Sequence, residues 1–402
     1  MKLTIFDEVS TLPDLWDYVL KNVNTDEVFL VLGNQTFSYK QLNALAWCIA
    51  AYFFSKQLKK GDKIVLFTKN SPFGVYIDWA AQFVGGVSIY IPPDTSVEIA
   101  QKIIRETKPK FIFLSEYRCY FNNKAWLDSF TPQLEIICYI SRDDELQEAD
   151  RITDLSYAVE WGKIFWRENL NLLKERRNSL KPLETSTIFY FHTHTAKPLP
   201  YSFSHQQILK TIKLGVATGQ HFTNQKVFLS ILSQAYLLEK IAGFYFPLLL
   251  QTKIQFVENI DNILEDLRNI APTCLVAKLD SFDFIFNKIK EDFKKQEKWK
   301  ARHLDAALQI VVKFRKLKTS NHKVPLWLYL KAKVAYKFLL SKIKKKYFPS
   351  LQYIITEDVV YSEKWFDVLG ALNIPVLVMS LGSDKLHKTS AHNYLTIAEL
   401  NT

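Results

Sequence analysis

The sequence predicts a doubly wound α/β fold, a parallel sheet with helices on both faces. Three observations carry that expectation. Short apolar runs such as Lys63–Phe67, Val87–Ile91 and Phe111–Leu114 alternate with stretches of helical spacing, the pattern of a parallel sheet covered on both sides. Gly, Pro, Asn and Asp punctuate the joins, as in Gly61-Asp62, Asn70-Ser71-Pro72, Gly85-Gly86 and Pro92-Pro93. The chain has 402 residues, 48% hydrophobic, ample for two or three domains or one large α/β unit.

Leu12–Leu20 has the spacing of a short amphipathic helix. Val28–Leu32 alternates as a strand, Gly33-Asn34 signals a turn, and Thr36-Phe37 resumes extended structure. Ser38 caps a helix running to about Gln57, with Leu42, Leu45, Ala46, Ile49, Ala50 and Phe53 on its apolar face. A helix from Ser71-Pro72 to Gly85-Gly86 and another over Glu98–Glu106 separate the three strands named above. Asp143–Glu184 is polar and poorly patterned, a variable connection with a helix only around Leu170–Lys174. Further on, His205–Val216 reads as helix, Val227–Ser233 as strand and Tyr236–Leu250 as an apolar helix. Lys253–Val257, Thr273–Ala277, Leu351–Ile355 and Pro375–Val378 complete the strands, with helices at Ile260–Arg268 and from Ser362.

Composition bounds the chemistry. Eleven glycines are few for several backbone-cradled phosphate sites. Cys48, Cys119, Cys138 and Cys274 are far apart in mostly apolar runs, so they read as buried free thiols and not as a metal cluster. Met1-Lys2 leads into a mixed stretch with Asp7 and Glu8, unlike a secretory leader. The longest apolar run, Ile241–Leu250, is too short to span a bilayer. A cytoplasmic or organellar-stromal protein, at most peripheral to a membrane, is expected. Net charge is +11, yet Lys288–Lys346 alone holds 19 Lys and Arg against four acids.

The stretch Thr187–His205 organises the rest: a buried strand, a turn, a second extended piece from Pro200, then a helix start marked by Ser204 and Gln207. This frame is similar to the phosphate loop of the adenylate-forming (AMP-binding) enzymes. Tyr190, Thr195, Pro198 and Ser204-His205 fall in place without a gap. Phe37–Leu42, Lys60–Ile64, Asn70-Ser71-Pro72, Gly86-Val87 and Ile91-Pro92 follow in family order. Phe228–Val276, with Glu239, a short acidic helix and Ala271-Pro272-Thr273, resembles the long-chain acyl-CoA synthetase branch. The resemblance covers roughly residues 10 to 390. It implies that 1–402 is one AMP-binding-like N-terminal domain built of two interleaved doubly wound sheets. Residues 60–200 would carry the phosphate-loop sheet, and 10–58 with 225–385 the second sheet, including a basic helical segment 283–347.

The resemblance also implies site residues, and here the sequence departs from it. The family's two turn glycines fall on Thr193 and Ala196, its lysine on Leu199 and its last glycine on Pro200. A Cβ makes left-handed backbone costly, and proline removes an N–H donor. The adenine-contacting Gly-Gly-Ala-Pro falls on Glu357-Asp358-Val359-Val360, and the Thr-Glu pair on Ser383-Asp384, which keep a hydroxyl and a carboxylate for Mg²⁺. The family's His falls on Tyr236 and its Pro-Arg on Leu279-Asp280. Only 18 residues follow Asp384, so the mobile C-terminal domain of the family is expected to be absent. His192, Thr193, His194, Thr195 and Leu199 are therefore a vestigial phosphate loop, and Ser383 and Asp384 a vestigial Mg-ATP motif. No catalytic residue is assigned.

Two patterns keep alternatives. His192, His194 and His205 could be imagined as metal ligands, but no Cys or acid lies near them at zinc-like spacing, and a chance pairing is preferred, with no metal. On Lys288–Lys346, Trp327, Leu330, Val334, Phe338 and Leu339 form an apolar stripe with lysines on the other face. Either the stripe packs inward beneath a solvated lysine face, or the segment attaches to an anionic membrane with Trp327, Tyr329, Tyr336 and Phe338 at the interface. Nucleic-acid binding lacks a recognised module. Two function classes follow. One is a non-catalytic relative that binds an acyl chain, an acyl-CoA, a membrane surface or a partner protein, with no cofactor. The other is an active or partner-completed fatty acid–CoA ligase using ATP and Mg²⁺.

Overall fold

Helix caps and turn glycines set the element boundaries. In the computed structural model, residues 5–92, 95–130, 133–141, 144, 150–191, 199–218, 227–296, 298–320, 322–357 and 363–379 are described. They form two compact units, 1–217 with 233–240, and 218–232 with 241–402.

The first unit opens with α1 (Ile5–Glu8) and α2 (Leu12–Asn22). The Thr11 hydroxyl accepts from the Asp14 amide, and the Asp14 carboxylate accepts from the Thr11 amide, a closed capping box. β1 (Val28–Leu32) and β2 (Gln35–Ser38) pair antiparallel across Gly33, whose φ of +53° suits the turn. Ser38 and Gln41 close a second box at the start of α3 (Tyr39–Ser55). β3 (Lys63–Phe67), α4 (Pro72–Val84), β4 (Val87–Ile91), α5 (Val97–Thr107) and β5 (Phe111–Leu114) follow the expected rhythm. α4 is buried at every position but Phe73 and stops at Gly85, where φ is +77° and a Cβ would fall 2.8 Å from Leu180 Cδ2. The sequence reading passed over α6 (Tyr117–Leu127) and β6 (Glu135–Cys138). After β7 (Thr153–Asp154) come α7 (Leu155–Asn178), β8 (Thr185–Phe191), β9 (Leu199–Ser204) and α8 (His205–Thr218). The sheet runs β7-β6-β5-β3-β4-β8-β9, parallel except for the antiparallel β8–β9 pair.

α7 corrects the sequence reading. The supposed variable connection is a 24-residue helix bent at Asn169. Its buried positions are Leu155, Ala158, Gly162 and Leu173, too narrow a stripe to stand out in the sequence. It lies against α3 at Gly162, where an added Cβ would fall 1.9 Å from the Cys48 carbonyl oxygen.

The second unit carries β10 (Val227–Ser230), β11 (Lys253–Phe256), β12 (Cys274–Val276), β13 (Tyr353–Glu357) and β14 (Val376–Met379). These pair in parallel in the order β14-β13-β12-β10-β11. The apolar run before β11 is not one α-helix: a π-helix over Glu239–Tyr245 precedes α9 (Phe246–Leu249). α10 (Ile263–Asn269) and α15 (Glu363–Ala371) flank a helical layer of α11 (Ser281–Gln296), α12 (Lys298–Thr319), α13 (Leu326–Ala335) and α14 (Ser341–Tyr347). A core of Phe282, Phe286, Leu304, Leu340, Tyr347 and Trp365 holds these helices on the unit.

Of the two readings of this layer's apolar stripe, inward packing holds for Leu339 alone. Trp327, Leu330, Val334 and Phe338 are exposed, while Leu328, Ala332, Leu339 and Leu340 are buried. The segment is apolar on two sides, so periodicity alone could not choose between them.

Candidate functional site

β8 and β9 build the frame of the expected phosphate loop. Tyr190 faces Pro200 and Phe191 faces Leu199 in the antiparallel register. His192, Thr193, His194 and Thr195, with Ala196 and Pro198, lie outside the described residues, as do Ser383 and Asp384. Leu199 opens β9 with its side chain 47% exposed. Pro200 is the next residue of this edge strand, and an edge is where a sheet tolerates proline. At the far end the Ser204 amide donates to Gln207 Oε1 and the Gln207 amide to Ser204 Oγ, the expected capping box. His205 is buried, and its Nδ1 accepts the Leu12 amide at 3.3 Å. Burial pushes its pKa down to about 4, despite opposing carboxylates at Glu184, Asp14 and Asp78. His205 is thus a neutral ring tied to α2. Among the described residues no three His, Cys, Asp or Glu side chains gather as a metal site.

The strand order places a second feature. β3 is flanked by β4 on one side and β5 on the other, so the winding reverses there. Ligands of open α/β sheets bind beyond the carboxyl ends of the strands at such a reversal. Two clefts sit at that edge. One is lined by Thr68, Asn70, Ser71, Gly74, Tyr90 and Gln234, the other by Tyr90, Pro92, Ile103, Tyr190, Ala235 and Tyr236. Each has about 10 Å³ of free space, room for about one water. Tyr236, at the family's histidine position, therefore lines the second cleft beside Tyr190.

Beneath them lies a polar network that the sequence reading missed. Lys240 Nζ is ion-paired with Asp78, donates to Tyr90 Oη at 2.9 Å and reaches Gln234 Oε1 at 3.4 Å. Tyr90 Oη donates to the same Gln234 oxygen at 3.0 Å. Gln82 Nε2 lies 3.1 Å from the Ser186 carbonyl, 3.2 Å from Ser88 Oγ and 3.3 Å from Asp78 Oδ1. All these side chains are buried. Burial lowers the Lys240 pKa and Asp78 opposes the shift. The network ties residues 233–240 to α4 and β4. Charge inside an apolar run was the available signal, at Asp78 within Pro72–Val84 and at Glu239-Lys240 within Leu237–Leu250.

In the second unit, Glu357 ends β13 at the first of the four positions where the resemblance puts adenine-contacting backbone. It pairs with Lys278 Nζ at 3.8 Å, and burial lowers the Lys278 pKa. Asp358, Val359 and Val360 lie outside the described residues.

A family model described as AMP-binding enzyme matches residues 19–389. No curated protein matches the chain significantly. Among solved structures, VinN is similar at 13% identity and a TM-score of 0.59, over 91% of this chain and 73% of that one. The luciferase-like enzyme from the nonluminescent mealworm Zophobas morio is similar at 13% identity and a TM-score of 0.60, over 93% and 72%. The adenylation domain of the carboxylate reductase GR01_22995 from Mycobacterium chelonae is similar at 16% identity and a TM-score of 0.61, over 95% and 59%. At these identities the likeness is one of fold.

Proposed function

The chain belongs to the AMP-binding enzyme family, and from that premise we propose that it is a non-catalytic relative of the long-chain fatty acid–CoA ligases. It keeps the fold as a binding protein for an acyl chain or acyl-CoA, a membrane surface or a partner protein. One observation carries this reading. The phosphate turn has Thr193 and Ala196 for its glycines, Leu199 for its lysine and Pro200 for its last glycine.

The chemistry of that turn is electrostatic. Backbone N–H groups and one ammonium stabilise phosphate charge, and the loss of a single preorganised donor typically lowers a rate by about 100-fold to 1000-fold. Pro200 brings no N–H to the turn. Leu199 supplies a hydrocarbon at the start of β9, opposite Phe191. Thr193 and Ala196 each carry a Cβ where the resemblance implies close backbone approach. ATP and Mg²⁺ are accordingly not cofactors in this reading.

ATP–pyrophosphate exchange tests it, with long-chain fatty acids and Mg²⁺ and the full chain at micromolar concentration. Exchange no faster than a protein-free blank is expected. Exchange above the blank that depends on fatty acid overturns the proposal and establishes fatty-acid adenylation.

A further inference from the structure

We propose that the outward face of α13 and of the π-helix after it (Tyr336–Leu340), Trp327, Leu330, Val334 and Phe338 with their flanking lysines, docks on an anionic lipid bilayer. The inference deepens the binding reading above by naming one surface and its partner. It concerns the second unit alone, so its test does not depend on nucleotide exchange.

Spacing and exposure come first. The four residues recur every three or four positions, which places them on one side of a helix, and each is more than half exposed. From Trp327 to Phe338 the stripe runs about 16 Å. The opposite side of the same helix, through Leu328, Ala332, Leu339 and Leu340, already packs against the unit. The exposed stripe is therefore a second apolar face, beyond what the core uses. A continuous exposed apolar face of this kind marks an interaction site.

Charge identifies the partner. From Ala306 to Thr356 the chain has no Asp or Glu, and it has 12 Lys and Arg. Lys288–Lys346 carries 19 cations and four anions, a net of +15, so the remainder of the +11 chain is at −4. Lys331, Lys333 and Lys337 flank the stripe on either side and are exposed. The Lys331 ammonium sits 5.2 Å from the Trp327 ring centroid, and that of Lys337 5.9 Å from the Phe338 centroid. Each pair sets a cation at the rim of an aromatic body, an arrangement that suits a headgroup layer over acyl chains. A protein partner would need matched carboxylates around an apolar groove, whereas a bilayer with anionic headgroups offers both without register. No helix among the described residues is long and apolar enough to cross a membrane, so the contact is a surface one.

Co-sedimentation of the full chain with phosphatidylcholine vesicles, with and without about one-third phosphatidylglycerol, tests the proposal. Binding is expected to the mixed vesicles and at least tenfold weaker to the neutral ones. Raising NaCl from 0.05 to about 0.5 M should lower it again, because the Debye length shrinks to a few ångströms. K331Q/K333Q/K337Q should weaken binding by about fivefold per lysine. W327S/L330S/F338S should abolish it while the circular dichroism and melting temperature stay unchanged, since all three side chains are exposed. Equal binding to neutral vesicles, undiminished binding of either triple variant, or no binding at all overturns the proposal. Capture of an acidic protein without any vesicle binding also overturns it, in favour of a protein partner.

Discussion

Burying an imidazole against a backbone amide fixes which nitrogen carries its proton. His205 accepts the Leu12 N–H through Nδ1, so the ring is neutral and its proton sits on Nε2. The unfolded chain binds that proton with an ordinary pKa near 6.5, the folded chain only at about 4. Between those values the unfolded state holds more protons, so stability present above pH 6.5 is lost as pH falls toward 4. A shift of that size corresponds to about 3 kcal/mol. His205→Gln can still accept the Leu12 amide but does not titrate. Its urea-unfolding free energy should fall less steeply over pH 6.5 to 4 than that of the native chain. Parallel slopes would remove His205 from the acid response.

At the scale of elements, the α3–α7 crossing rests on the absence of one carbon atom. A Cβ on Gly162 would fall 1.9 Å from the Cys48 oxygen and 3.2 Å from the Tyr52 amide. Both are backbone atoms, so relief requires one helix to move. Gly162→Ala should lower stability by about 3 kcal/mol, at the upper end of overpacking effects, read as a drop in urea midpoint. Tyr157→Ala, on the exposed side of α7, should change it little. The same crossing explains what sequence reading could see. Caps are local, so Ser38, Ser71 and Ser204 announced their helices within one turn of chain. α7 was hidden because its closest contact is at a glycine, which leaves only a narrow apolar stripe. The Glu239–Tyr245 π-helix was hidden because a run buried all round has no face to reveal its pitch. The α13 stripe admits both an inward and an outward reading because both sides of that helix are apolar.

At the scale of the whole molecule, folding has to bring together groups far apart in the chain. Asp78 and Lys240 are 162 positions apart, each inside an apolar run, and nothing local points from one to the other. Removing one partner leaves a buried charge unmatched and typically costs about 3–5 kcal/mol, whereas apolar replacement of both is often neutral. Asp78→Leu and Lys240→Met should each destabilise by about that much in urea unfolding. The double variant should be less destabilised than either single one. Additive losses would mean that Tyr90 and Gln234 already satisfy the ammonium. The frame around the phosphate turn was legible because strand, turn and cap are contiguous. The ion pair beneath the clefts was not, because it exists only once α4 and residues 233–240 meet.

The register of β9 has a consequence for association. Its outer rim is the last strand of the first unit's sheet, the kind of border that invites another chain to zip on. Pro200, opposite Tyr190, has no hydrogen to offer an incoming strand. The residue that fills the place of the loop's final glycine thus also leaves that border strand one backbone donor short.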